Sequence, residues 1–405
     1  MGADINVAGR PTTPAPEFAN ALRRLTNGET NAIADAYALI RCADTDLPAL
    51  LAAAGALRDT HKGRTVTYSR KAFLPITNLC RDRCTYCTFR KDPGDTGAWT
   101  MRRDEIRDWL TRAQALGCKE ALMCLGDKPE AAFPEYRQTL HDLGHASTIG
   151  YVREACEIAL EVGLLPHTNA GVLAADEMTA LRPVNVSLGL MLENVTPRLR
   201  ARGMVHQNAP DKEPARRLEM IAEAGRLRIP FTTGILLGIG ETPEERVDSL
   251  FAIADLHAAY GHVQEVIIQN FRAKPEIPLA DAPEPTAAEM ARAVAVARLL
   301  LGGAMNIQAP PNLSPNDHRL LLRAGINDWG GISPLTLDYV NPEAPWPAIV
   351  ALAATCAEEG FTLRERLAIY PEYVHSTFLD PALAAPVNVL ASTITREEIH
   401  ALAPS

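Results

Sequence analysis

Apolar and polar positions along the chain fall into two regimes. Between residues 18 and 60, apolar side chains, mostly Ala and Leu, recur at helical spacing up to the polar turn His61-Lys62-Gly63-Arg64, which predicts a helical preface. From residue 65 onward, short apolar or β-branched runs alternate with longer stretches that carry charge on one helical face. The runs predict strands over 66–76, 120–125, 164–168, 185–192, 230–239, 265–271, 305–309 and 325–331. Helices are expected over 103–116, 152–161, 175–181, 215–227, 243–258, 286–300, 316–322 and 346–359. Eight β-α units in succession predict an α/β fold, a TIM-type (β/α)8 barrel with an N-terminal helical extension; a six-unit partial barrel is the alternative. The expected organisation is an N-terminal arm and helical extension over 1–64, the barrel over 65–375 and a C-terminal extension over 376–405. Within the first part, residues 1–17, rich in Pro, Thr and Gly, read as a loose arm.

Composition narrows the function. The chain has 405 residues, 47% hydrophobic and 22% charged, which is ordinary globular material. A formal net charge of -9 with no clustered Lys and Arg argues against nucleic acid and leaves a small polar substrate or a protein partner. The start of the chain lacks a signal-peptide pattern and no apolar run suits a bilayer, so a cytoplasmic protein without membrane association is expected. A barrel places its chemistry in the loops at the C-terminal ends of its strands. The unusual residues fall there, among them a cysteine cluster, Gly126-Asp127, Asn169, Glu193, Gly238-Ile239-Gly240-Glu241 and Asn270.

Eight cysteines are too few for a disulfide scaffold, yet three of them, Cys80, Cys84 and Cys87, crowd into one loop with the spacing C-x3-C-x2-C. The remaining five sit in apolar or helical contexts and read as structural. Three converging thiolates suit iron–sulfur or zinc, but zinc normally completes its tetrahedron with a fourth Cys or His, and the loop holds no histidine. A [4Fe-4S] cluster on three cysteines keeps one iron open, as a catalytic cluster requires. The flanking Arg81, Arg83, Arg90 and Lys91 are candidate stabilisers of the anionic centre. A non-catalytic binding protein with zinc completed by a distant His167 or His206 is the alternative.

C-x3-C-x2-C after a barrel's first strand resembles the signature of the radical S-adenosylmethionine (SAM) superfamily. The resemblance implies that SAM chelates the open iron and yields a 5′-deoxyadenosyl radical. Tyr86 matches a position whose aromatic ring lies near the adenine. Leu122 to Asp127 resembles the motif that meets the methionyl amino group, with Leu125 and Asp127 in place of the usual Gly and Glu, so the implied role falls on the backbone at Gly126 before the Asp127 side chain. Glu193 stands where related enzymes hold the ribose or amino group of SAM. Gly234 to Glu241 resembles the strand-five motif that packs on adenine, which assigns Gly238 and Ile239. Its spacing is not G-x-G-x-x-G, so no nicotinamide site is expected.

Further stretches, Val266 to Phe271, Asn312 to Pro315, Ile326 to Pro334 and Asp338 to Pro347, resemble the first-subunit (CofG) family of FO synthases over about 68–375. In that family's scheme a partner radical SAM subunit, CofH, joins the hydroxybenzyl part of tyrosine to 5-amino-6-ribitylaminouracil. The CofG-type subunit then abstracts hydrogen, closes the middle ring and releases ammonia. The product is 7,8-didemethyl-8-hydroxy-5-deazariboflavin (FO), chromophore of coenzyme F420. The resemblance implies a small-molecule substrate, a CofH-like partner and an electron donor such as ferredoxin or flavodoxin. On this reading Gln269 and Asn270 pair with pyrimidine edges, and Asn327 and Asp328, beside Trp329, hold ribityl hydroxyls. His167, Asn169 and His206 are the candidate catalytic groups for proton transfer. The alternatives within the superfamily are the tyrosine-using partner and a menaquinone-pathway enzyme.

Overall fold

The computed structural model describes residues 16–28 and 32–402, so most of the expected arm at 1–17 lies outside the described residues. Eight parallel strands close into a barrel: β1 Thr65–Pro75, β2 Glu120–Cys124, β3 Leu165–Asn169, β4 Ser187–Gly189, β5 Phe231–Leu237, β6 Val263–Asn270, β7 Ile307–Gln308 and β8 Asp328–Ile332. All eight expected strands are present, with β4 and β7 shorter than their apolar runs. The runs overshoot because apolar loop residues such as Leu190 and Ala309 are also buried. The expected helices are present as well. Their ends follow local chemistry: Thr242 and Thr286 cap the helices Pro243–Tyr260 and Ala287–Leu301 by accepting the N–H of Glu245 and Glu289.

The helical preface resolves into Pro16–Thr26, Ala32–Ile40 and Leu47–Lys62, packed on the helices Pro243–Tyr260 and Ala287–Leu301. Buried Arg58 ties the third of these to the barrel, donating to the carbonyls of Leu322 at 2.7 Å and Ile326 at 2.9 Å.

Three features escaped the pattern. Short helices Pro129–Ala132 and Pro134–Asp142 follow β2, and a helix Ala384–Leu402 follows the barrel. A ninth strand, β9 Thr362–Glu365, pairs in parallel with Thr65–Tyr68 on the edge of β1 that β2 takes over from Lys71. Behind β9 the chain crosses the N-terminal end of the barrel. Ala368 O accepts from Ser187 Oγ at 2.8 Å and from Gln264 Nε2 at 3.2 Å, and the Tyr370 N–H donates to Gln264 Oε1. Residues 366–370 therefore form a strap under the barrel, backed by an apolar cluster that includes Leu165, Val186, Ile369 and Val387.

The barrel interior is unusually polar. Parallel register sets Lys71 beside Glu120, His167 beside Ser187, Thr232 beside Glu265 and Gln308 beside Asp328. Side chains alternate across each strand, so one face of this set looks inward. A barrel filled only by branched apolar layers would be solid; this one encloses a cavity.

Candidate active site

Beyond Pro75 the chain forms the loop that carries the three cysteines. Asn78 pins it from within, donating to Gly97 O at 2.7 Å and accepting the Trp99 N–H at 2.8 Å. Its outer side docks on the chain after β4: Arg83 N–H donates to Asn208 O at 2.9 Å, Thr85 N–H to Val205 O at 3.2 Å, and Arg81 forks onto Asp211. Cys80, Cys84 and Cys87 are free and line one cavity of about 390 Å³. Burial pushes the Cys80 thiol up to about 12 and Cys84 higher still, so thiolates here require metal coordination to persist.

The expected stabilising arginines are spent elsewhere, Arg81 on Asp211 and both Arg83 and Arg90 on Asp92. The cation that acts on Cys84 is Lys212, which the sequence did not single out. The three sulfurs do not all lie within 4.8 Å of one another, as one zinc ion at about 2.3 Å from each would require. Of the proposed fourth zinc ligands, His206 spends its Nε2 on Tyr86, whereas His167 bonds Ser187 through Nδ1 and keeps Nε2 toward the cavity.

The residues present fit a SAM-bearing cluster. A Cβ at Gly126 would stand 2.6 Å from Cys80 Sγ, so glycine alone admits the sulfur there. The Asp127 N–H donates to that sulfur at 3.1 Å. One Asp127 carboxylate oxygen accepts the Val172 N–H at 2.9 Å, and the other is buried without a partner among the described residues, an open acceptor for an amino group. Burial and then Asp211 raise this carboxyl to about 7.

Glu193 lines the cavity, and its carboxylate is engaged by the Tyr86 hydroxyl at 2.6 Å, by Lys212 and by His206 at 3.2 Å. The carboxylate expected to hold the ribose or amino group of SAM therefore faces the cavity while also holding the Tyr86 hydroxyl. Gly238 and Ile239 are corrected: neither lines the cavity, and both N–H groups donate to Glu241 at 2.9 Å. Leu236, in β5 just before them, lines it instead.

Deeper in, His167, Asn169, Gln269 and Asn270 all line the cavity. The Asn270 amide is engaged with Leu313 O at 3.1 Å and Ser314 Oγ at 3.4 Å. The cavity floor is ionic: Lys71 pairs with Glu120 at 2.7 Å and Arg366 with Glu265 at 2.7 Å. Charged residues at inward strand positions were a legible signal of this floor, whereas Arg366 belongs to the strap.

Asn327, Asp328 and Trp329 do not reach the cavity. Asn327 accepts from Arg298 at 2.8 Å and from the Ile307 N–H, Asp328 accepts from Arg366 and Thr67, and Trp329 is fully buried with its indole N–H on Cys356 Sγ at 3.4 Å. Substrate contact by these three is corrected to a structural role. His206 is likewise sealed between Tyr86 and Glu193 and does not line the cavity.

Comparison with known proteins decides the family. The Radical SAM superfamily matches residues 74–253. The 7,8-didemethyl-8-hydroxy-5-deazariboflavin synthase of Methanopyrus kandleri is 49% identical over 76% of this chain and 92% of its own length. The chain belongs to this deazariboflavin synthase family of radical SAM enzymes. Such enzymes use a [4Fe-4S] cluster and SAM, and the cysteine loop and the unpartnered Asp127 oxygen suit that pair. The FO synthases of Nocardia farcinica and Streptomyces coelicolor are each 46% identical, over 97% and 95% of the chain but only 47% and 46% of their own lengths. The chain therefore spans about half of those FO synthases. Among solved structures, methylornithine synthase (PylB) superposes with a TM-score of 0.66 at 18% identity, covering 85% of this chain and 97% of that one. The maturase HydG from Carboxydothermus hydrogenoformans gives 0.70 at 16% identity, covering 94% and 90%. Both likenesses speak to the barrel fold. No helix among the described residues is long and apolar enough to cross a membrane.

Proposed function

We propose that this deazariboflavin synthase relative catalyses the ring-closing half of FO formation. Its substrate would be 5-amino-5-(4-hydroxybenzyl)-6-(D-ribitylimino)-5,6-dihydrouracil, converted to FO with release of ammonia. The observation that carries the reading is the 49% identity to the Methanopyrus kandleri synthase over 92% of that protein, joined to a cavity with an ionic floor that opens beside the cysteine loop. When bound, the cluster and SAM supply the radical that removes hydrogen from the adduct.

The chain's own residues do the rest. Cys80, Cys84 and Cys87 hold the cluster, and Asp127 receives the SAM amino group on its unpartnered oxygen. Glu193, itself held by Lys212, fixes the Tyr86 ring of the cysteine loop. Gln269 and Gln308, with the Lys71–Glu120 and Glu265–Arg366 pairs beneath, offer donors and acceptors to a uracil edge and a polyol. The apolar wall at Phe73, Leu122, Leu236 and Phe271 excludes water from a reactive radical.

The adduct is assigned to a CofH-type radical SAM unit, in keeping with FO synthases about twice as long as the portion matched here. Electrons would come from a ferredoxin or flavodoxin. The test is anaerobic: reconstituted protein, SAM, reductant and the adduct should yield the fluorescent deazaflavin, and Cys84→Ala should yield none. Consumption of tyrosine and 5-amino-6-ribitylaminouracil without the partner would instead identify the tyrosine-using subunit.

A further inference from the structure

We infer that His167 transfers the proton needed for ammonia release, presenting a bare Nε2 to the substrate from an imidazole whose tautomer is set by Ser187 and the Ala368 carbonyl. The inference rests on the function proposed above and names the residue for one of its steps.

The tautomer follows from counting protons. Ser187 Oγ has one hydrogen, which it donates to Ala368 O at 2.8 Å. Toward His167 Nδ1, 2.6 Å away, the same oxygen must then accept, so Nδ1 carries the hydrogen. Burial lowers the His167 pKa to about 4, which keeps the ring neutral and leaves Nε2 a lone pair. Nε2 makes no hydrogen bond with the described residues, and the ring lines the cavity. The adjacent position preserves that opening: a Cβ at Gly189 would stand 2.9 Å from Nε2.

The charged groups facing the ring are Glu120, Lys71 and Arg366, of which Glu120 favours a transient imidazolium and the two cations oppose its persistence. Glu120 thus supplies the counter-charge that a transient imidazolium needs against the burial that disfavours it. Loss of ammonia breaks a C–H bond and the neighbouring C–N bond. The C–H pair becomes the new C=C bond, and the C–N pair leaves on nitrogen. Nε2 accepts the proton from carbon and returns it to the departing amine, which leaves as neutral ammonia; the imidazole is regenerated and no further oxidant or reductant is consumed. The other two candidates do not fit: His206 is sealed away from the cavity, and Asn169 has no proton to exchange near neutrality.

The experiment measures deazaflavin formed per 5′-deoxyadenosine with the holoenzyme, SAM, reductant and adduct. His167→Gln should lower that ratio by about 10²-fold or more, the usual worth of positioned acid–base catalysis. Added imidazole should partly restore it in His167→Ala, which a merely structural role would not allow. In ¹⁵N-histidine-labelled holoenzyme with the cluster oxidised, His167 should show the Nδ1–H tautomer, and Ser187→Ala should lose it. An unchanged ratio in His167→Gln, absence of imidazole rescue, or an Nε2–H tautomer in the parent protein overturns the inference. If the parent protein yields no deazaflavin from the adduct, the proposed function fails instead, and the tautomer measurement still decides the Ser187–His167 arrangement.

Discussion

The backbone N–H of Asp127 donates to Cys80 Sγ at 3.1 Å, so the end of β2 and the cysteine loop meet at the sulfur that would bind iron. Gly126 makes that approach sterically feasible, because a Cβ there would lie 2.6 Å from the same atom. Gly126→Ala should displace Cys80 and lower both the iron and the acid-labile sulfide bound per chain. SAM cleavage should fall by about 10²-fold, the scale of loss from a 1 Å misplacement of reacting groups. Iron analysis together with 5′-deoxyadenosine release checks this; parent-level cluster content would reject it.

Buried Glu193 pairs with the partly buried Lys212 and also receives the Tyr86 hydroxyl. Removing one member strands the other, which costs about 3–5 kcal/mol, while removing both costs far less. Lys212→Met should therefore lower the urea midpoint strongly, and Glu193→Gln with Lys212→Met should recover most of the loss. Glu193 is held well below its usual range by Lys212 and His206 against the opposing effect of burial, and Lys212 is raised by Glu193. The pair's contribution is thus present at neutral pH. It is lost only as pH falls through the depressed Glu193 value or rises through the elevated Lys212 one.

Trp329 is a stability residue. It is fully buried, stacked edge-on against His318 with ring centroids 5.0 Å apart. Trp329→Ala should cost about 3–5 kcal/mol in unfolding free energy. Trp329→Phe should keep the ratio of deazaflavin to 5′-deoxyadenosine unchanged, and a changed ratio would return this residue to the substrate site.

The contrast between Trp329 and Lys71 shows what the sequence could convey. The cysteine triplet and the β-α alternation are local patterns, and both are legible in the order of residues. Lys71, Glu120, His167 and Glu265 were also readable as polar residues in otherwise apolar strands, where the period-two rule turns them inward. The direction of Asn327 to Trp329 was not, because it depends on how β8 registers against β7 and β1 across a bulge between Thr67 and Ser69. Lys212 and the strap at 366–370 were invisible for a similar reason. They reach the site through long-range chain crossings that no local period encodes.

Arg366 carries the strap's electrostatic load, pairing with Asp328 at 2.6 Å and Glu265 at 2.7 Å in a fully enclosed floor. Arg366→Met would leave two buried carboxylates without their shared cation, an expected loss of about 3–5 kcal/mol. Arg366→Lys should rescue only part of this, since an ammonium cannot fork onto two carboxylates as a guanidinium does. Denaturant unfolding of the two variants checks the order; equal stability of Lys and Met at 366 would reject it.

His262 supplies a pH test remote from the cysteine loop. It donates through Nε2 to Ile221 O at 2.8 Å, and its Nδ1 is buried without a partner among the described residues. Burial, the largest cause, lowers its pKa to about 4. The unfolded chain takes up this proton near pH 6.5, the folded chain only near 4, so protons bind the unfolded state first as pH falls through that window. Stability should decline between those limits by up to about 1.4 kcal/mol per pH unit from this residue, and the residue's effect should vanish above pH 6.5. His167, also lowered to about 4, adds a slope of the same sign. His262→Gln should remove one proton's worth of slope and leave that of His167. Chemical unfolding at stepped pH measures the difference, and identical slopes for the two proteins would show that His262 is already charged in the folded chain.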